Sequence, residues 1–113
     1  LAEGSLSEVP IYIRRLVQLC IEYGAQDVML AHNHPSGTAV PSQNDIIATR
    51  RVEAALESID ASLRDHIIFA EEDLYSFAKS GMLAVLQLES REARRKELDQ
   101  ARQMERELLG AES

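Results

Sequence analysis

The 113-residue sequence lacks several features that mark specialised classes of protein. A single cysteine, Cys20, excludes a disulfide within the chain, and its apolar helical surroundings indicate a buried small side chain. The apolar runs fall far short of the roughly 20 residues that a membrane span needs. The sequence also shows no basic and apolar leader of the secretory type. We therefore expect one globular domain in the cytoplasm, with no membrane contact.

Positive charge is also scarce. The formal net charge is -7, and residues 1–84 carry six Lys and Arg against twelve Asp and Glu. Strong nucleic-acid binding needs a basic patch that replaces the counterions of phosphate. The short basic clusters at residues 14–15, 50–51 and 94–96 are more simply explained as solvated helix faces. We expect no strong binding of nucleic acid.

The order of the predicted elements is strand, helix, strand, helix, strand, strand, helix. This order favours an α/β fold of three layers, with a mixed sheet between helices. Turn and cap signals set the bounds. The predicted elements are a strand end at Leu1–Leu6, a helix from near Pro10 to Gly24, a strand at Asp27–Ala31, a helix at Ser42–Ser58, a hairpin of Ser62–Ala70 with Leu74–Phe77, and a long helix beyond Gly81. No initiator methionine precedes Leu1, so we expect the start of the first strand to be missing.

The composition changes in the last part of the chain, where Glu, Arg, Ala and Gln dominate. We predict a domain at residues 1–84 and a helical tail at residues 85–113. The Leu and Met positions of the tail could form a coiled-coil seam, but Ser90 and Glu97 interrupt its heptads. A solvated helix, or a helix that packs in a homodimer, is the better interpretation.

The residues that could carry chemistry lie between His32 and Asp45. His32 and His34 are two apart at the end of a strand, so their side chains project from the same side. A loop then leads to Ser42, which opens a helix and can bring Asp45 back over the strand end. Two nitrogens and one oxygen, with a fourth position for water, form the ligand set of an open catalytic zinc site. Taken alone, Ser42 and Asp45 fit a helix capping box better than a metal site, but the two histidines in register favour the metal.

A longer string of residues carries a resemblance. It consists of His32-Asn33-His34-Pro35-Ser36-Gly37, Pro41-Ser42-Gln43, Asp45-Ile46, Thr49-Arg50-Arg51 and Asp65-His66-Ile67-Ile68. This string closely resembles the RadC family, a bacterial branch of the JAB/JAMM (MPN-like) metalloprotease fold. The metal motif of that fold, H-x-H-x7-S-x2-D, fits His32, His34, Ser42 and Asp45 at every spacing. The similarity runs from about Gly4 to Gly81.

The resemblance implies a cytidine-deaminase-like fold and a hydrolase of amide or isopeptide bonds in peptides or protein conjugates. One zinc ion would be held by His32, His34 and Asp45 with a water, and Ser42 would donate a hydrogen bond to the oxyanion. The family name also carries an association with DNA repair. The pair Asp65-His66 heads an apolar strand, and an orienting or structural role fits it better than a chemical one.

The general base is the one part of the pattern that departs from the family. In the wider fold a glutamate from an earlier strand takes the proton of the water, and RadC-type domains carry it a few residues before the glycine that matches Gly4. The sequence begins three residues before Gly4, so Glu3 is the sole candidate. Glu3 would be displaced along the strand by about 6.6 Å or more. We expect zinc binding with poor hydrolysis, and the alternative function is a noncatalytic metal-binding or scaffold module.

Overall fold

The computed structural model describes residues 9–35 and 37–110. Within them the chain forms α1 (Val9–Tyr23), β1 (Asp27–Asn33), α2 (Gln43–Ser58), β2 (Ser62–Phe69), β3 (Leu74–Ser76) and α3 (Met82–Leu109). The sheet is mixed, because β1 and β2 are parallel whereas β2 and β3 are antiparallel. The α/β class, the mixed sheet and the C-terminal helix are therefore confirmed. The strand end predicted at Leu1–Leu6 lies outside the described residues.

The hydrophobic core lies where α1, α2 and the first turns of α3 meet the sheet. Cys20 is buried in it, as predicted. Leu19 and Tyr23 of the same helix are exposed. The helix contacts the core through Tyr12, Ile13, Leu16 and Cys20. The buried residues that form this core cluster are Cys20, Leu30, Ala39, Val52, Leu56, Ala61, Leu63, Ile68, Phe77, Leu83 and Leu86.

A bulge in β2 decides which of its side chains face the core. In the pairing with β1, Arg64 has no partner residue. Strand β2 therefore contains one extra residue at this point. Strict alternation would have put Asp65 on the same face as Leu63. The extra residue reverses the alternation, and His66 and Ile68 lie on the buried face with Leu63 instead. The bulge therefore places an imidazole where regular pairing would have placed a carboxylate.

The first turns of α3 belong to the domain, whereas the rest of the helix projects from it. Leu83 and Leu86 are buried, and the Gln87 side chain donates a hydrogen bond of 3.0 Å to the Leu63 carbonyl. From residue 91 to residue 109 every side chain is exposed. The helix thus runs continuously across the predicted boundary between residues 84 and 85, which stays a prediction. Among the described residues, no helix is long and apolar enough to cross a membrane.

The side chain of Glu53 is a buried carboxylate on α2, with only 3% of the residue exposed. Burial raises its pKa, and the charge of Glu57 raises it further, while hydrogen bonds from Gln87 and the Leu63 backbone act in the opposite direction. Its Oε2 atom has no hydrogen-bond partner among the described residues. Glu53 therefore opposes folding when it is ionised, because its charge loses water and is incompletely compensated.

Two leucines of α3 test where the folded domain ends. Leu86 is 1% exposed and Leu98 is 49% exposed. Leu86→Ala should lower the free energy of unfolding by about 2 to 5 kcal/mol, because it leaves a cavity in the core. Leu98→Ala, the matched control on the same helix, should change it by less than about 0.5 kcal/mol. Urea unfolding measures both, and equal effects would contradict the packing of α3 described above.

Glu53 should also leave a signature in the pH dependence of stability. Because its pKa is raised above 4.5 in the folded protein, the folded state holds this proton more tightly than the unfolded chain. The stability that the proton contributes is present below pH 4.5 and is lost as the pH rises through the folded value. Glu53→Gln has no such proton to lose. Its stability relative to the natural protein should therefore increase with pH across that window and stay constant above it.

Urea unfolding of both proteins at a series of pH values measures this difference. Glu71→Gln, a change in an exposed turn, is the matched control and should run parallel to the natural protein. The free energy of unfolding of Glu53→Gln could instead change with pH in parallel with that of the natural protein. This result would show that the Glu53 proton is bound equally in the folded and unfolded states.

Candidate metal centre

The two histidines owe their common direction to the pleat of β1. Leu30 and His32 are buried, whereas Ala31 and Asn33 between and beyond them are exposed. The strand ends at Asn33, and the next residue is held to β2 because the His34 amide donates to the Phe69 carbonyl at 2.7 Å. His34 is also buried, so both imidazoles lie on the inner side at the carboxyl end of β1.

The third residue is delivered by the capping box that opens α2. The Ser42 hydroxyl oxygen accepts the amide of Asp45 at 3.1 Å, and Asp45 Oδ2 accepts the amide of Ser42 at 2.8 Å. The two interpretations of this pair are therefore compatible. The cap fixes the carboxylate in the first turn of α2, and the same carboxylate faces the histidines. Since the Ser42 oxygen uses a lone pair for the cap, its own hydrogen remains available for donation.

The three predicted ligand residues converge. His34 Nε2 lies 2.9 Å from Asp45 Oδ2, and His32 Nδ1 lies 3.4 Å from Asp45 Oδ1. The two imidazole rings meet edge to face with their centroids 4.9 Å apart. One ligand atom from each residue can be chosen so that all lie within 4.8 Å of one another. The arrangement is that of a group that could hold a metal ion, and the assignment of its ligands stays a prediction.

The contacts of His34 show why a cation fits this place. Its Nδ1 atom lies 3.0 Å from the carbonyl oxygen of Thr38, and a carbonyl can only accept, so Nδ1 carries the hydrogen. In a neutral imidazole Nε2 is then an acceptor. It faces the Asp45 carboxylate, which is also an acceptor, at 2.9 Å. Two acceptors at this distance need a positive charge between them, either a proton on Nε2 or a metal cation.

The Asp45 carboxylate is held in its ionised form. Burial alone would raise its pKa, but the hydrogen bonds from Ser42, the contact with His34 and the charge of His32 outweigh burial and lower it. An ionised carboxylate is the form that binds a divalent metal. The site thus presents a negative ligand that is already deprotonated at neutral pH.

Two residues beneath the site, Thr49 and His66, belong to the string that carries the family resemblance, and for His66 the sequence predicted an orienting or structural role. The Thr49 hydroxyl donates to the backbone carbonyl of Asp45 at 2.6 Å and lies 2.7 Å from His66 Nδ1. Burial lowers the pKa of His66 to about 4, and the proximity of His32 acts in the same direction, so His66 is neutral at pH 7. Thr49 follows Asp45 by four residues on one helix, and this spacing could have indicated the contact. No local signal indicates His66, because the bulge at Arg64 sets its direction.

Among the described residues, Asp65 does not join the cluster. Glu3 and Ser36 lie outside the described residues. Asp65 faces away from the histidines, and it accepts hydrogen bonds from the Ser76 hydroxyl at 2.6 Å and the Ala78 amide at 3.0 Å. It therefore fastens β2 to the segment around β3, while its neighbour His66 points inward. This division agrees with the structural or orienting role expected for the pair.

The chain is similar to a known family and to several known proteins. The family described as RadC-like JAB domain matches residues 1–82. The chain is 46% identical over 83 residues to a UPF0758 protein of Idiomarina loihiensis, and 41% and 40% identical to UPF0758 proteins of Neisseria meningitidis and Aliivibrio fischeri. Each match covers 74% of this chain and 37% of the relative. The aligned part is thus little more than a third of the length of these relatives.

Proposed function

The chain belongs to the RadC-like JAB domain family, and we propose that it is a zinc-dependent hydrolase of amide or isopeptide bonds in peptides or protein conjugates. The observation that carries the proposal is the contact of two acceptors, His34 Nε2 and Asp45 Oδ2, at 2.9 Å beside His32. A divalent cation would satisfy both acceptors at once. Imidazole and carboxylate ligands with room for a water suit zinc in a catalytic site.

The residues of the chain have separate tasks in this proposal. His32, His34 and Asp45 would hold the zinc, which when bound supplies Lewis acidity that polarises the substrate carbonyl and acidifies a water. Thr38 orients His34 through its carbonyl, as the outer partners of metal-binding histidines do. Ser42 would donate its hydroxyl hydrogen to the oxygen on which negative charge develops. Proton transfer from the water would fall to Glu3 or to a carboxylate of the preceding segment in the longer relatives.

A second candidate function is a noncatalytic metal-binding or scaffold module. The carboxylate in the converging group is Asp45, and a ligand cannot serve at the same time as the free general base. The described residues therefore provide for metal binding more fully than for proton transfer. The acidic net charge gives no physical support for direct DNA binding, so the proposal does not extend to DNA repair.

Zinc binding is the first test. After equilibration with zinc and gel filtration, the protein should carry about one zinc ion per chain, and His34→Ala and Asp45→Asn should each lose most of it. Elemental analysis gives the ratio. Glu105→Gln removes an exposed acid from the projecting part of α3 and should bind like the natural protein. Zinc that is absent, or that persists equally in all variants, would defeat the proposed site.

Hydrolysis is the second test, and it separates the two candidate functions. We expect this chain to cleave fluorogenic peptides slowly, because we expect no well-placed general base in it. General-base catalysis typically raises the reaction rate about 100-fold to 10,000-fold. A chimera that carries the upstream segment of the Idiomarina loihiensis relative should gain activity of that order. Glu3→Gln in the original chain should change little, as should the Glu105→Gln control.

The outcomes are distinct. If the original chain is as active as the chimera, the base lies within these 113 residues, and a loss in Glu3→Gln would identify it. If both proteins bind zinc at His34 and neither cleaves any peptide, the noncatalytic module is the better account.

A further inference from the structure

His66 lies at the point where the two ligand-bearing elements meet. It is 0% exposed, and its ring stacks on Phe77 with centroids 4.8 Å apart and planes inclined by 9°. On its other side the ring of His32 lies at 6.0 Å with an inclination of 26°. Three rings therefore form a column that runs from the core to the proposed zinc site. His32 rests on His66, and His66 rests on Phe77.

The hydrogen bonds of His66 have a forced direction. Thr49 has one hydroxyl hydrogen, and it goes to the Asp45 carbonyl at 2.6 Å, because a carbonyl has no hydrogen to give. The contact of 2.7 Å between Thr49 and His66 is then a hydrogen bond only if His66 Nδ1 is the donor. The chain of donation runs from His66 through Thr49 to the backbone of Asp45. It ties β2 to the first turn of α2.

The other nitrogen of His66 shows that the residue does more than fill space. Its Nε2 atom is buried and has no hydrogen-bond partner among the described residues. A buried polar atom without a partner costs about 1 to 3 kcal/mol. Phenylalanine would fill much of the same space without this cost. What histidine adds at this position is the Nδ1 donor.

We infer that His66 is a positioning residue of the proposed zinc site, because it holds His32 by ring stacking and the Asp45 backbone by way of Thr49. The inference rests on the proposed function and extends it to residues that touch no metal. Its consequence is that the two ligand-bearing elements are fixed to each other before the metal binds. Loss of either link should weaken zinc binding even when all three ligands are intact.

Paired substitutions separate the two links. Thr49→Val keeps the shape of the side chain and removes the hydroxyl, whereas Thr49→Ser keeps the hydroxyl. His66→Phe keeps the ring and removes the donor, whereas His66→Asn keeps a donor near the Nδ1 position and removes the ring. We expect Thr49→Val and His66→Phe to raise the zinc dissociation constant about 10-fold to 100-fold, the range seen when outer partners of metal ligands are lost. Thr49→Ser should restore most of the affinity.

The readouts are zinc affinity by chelator competition and the visible absorption of the Co²⁺-loaded protein, which reports ligand number and geometry. Val52→Ala is the control for stability, because Val52 is fully buried in the next turn of α2 and has no polar atom. It should lower the free energy of unfolding while zinc affinity and the Co²⁺ spectrum of the folded protein stay unchanged. His66→Asn should retain part of the affinity and show an altered spectrum.

The inference is overturned if the natural protein binds zinc through His34 while Thr49→Val and His66→Phe match it in affinity and spectrum. It is also overturned if Val52→Ala weakens zinc binding as much as Thr49→Val, since the effect would then follow general stability. A natural protein that takes up neither ion would disprove the zinc site itself, and the positioning role would fall with it. The first two results leave the proposed function standing, and only the third removes it.

Discussion

The Asp45 carboxylate is the group on which the arrangement of the site depends. A buried carboxylate is unfavourable unless it is paired and hydrogen-bonded. Asp45 meets this requirement by accepting the Ser42 amide and by facing the imidazoles of His32 and His34. It also lies in the first turn of α2, where the helix dipole favours negative charge. The Asp45 side chain thus caps α2 and also contacts the two histidines at the end of β1. The same contacts therefore stabilise the local fold and form the candidate site.

The features predicted correctly from sequence are those set by residues close together in the chain. The spacing of two between His32 and His34 fixes a common face once the segment is a strand. The spacing of three between Ser42 and Asp45 fixes the cap once the segment is a helix. Both rules act within one turn or one pleat, so no knowledge of distant partners is needed. Nine residues separate β1 from α2, and the structure brings Asp45 back to the histidines across them.

The features that were missed depend on pairing between distant segments. Whether Asp65 or His66 faces the core is decided by the bulge at Arg64, and that bulge exists only relative to β1. Glu53 has the polar character of an exposed helix position, yet it is buried because β2 and α3 both pack over it. The periodicity of apolar residues identifies the buried side of a helix or strand. It does not identify the polar residues that are also buried on that side.

The contact between His34 and Asp45 links metal binding to protons and to folding. Without a metal, a proton between Nε2 and Oδ2 satisfies both atoms, and this keeps the histidine and the helix terminus together. A zinc ion at the same place must displace that proton, so zinc affinity should weaken as the medium becomes more acidic. The ligands come from separate elements that converge only in the folded chain. Zinc that binds the folded state alone therefore stabilises it by mass action, by about 2.7 kcal/mol at 100 times the dissociation constant.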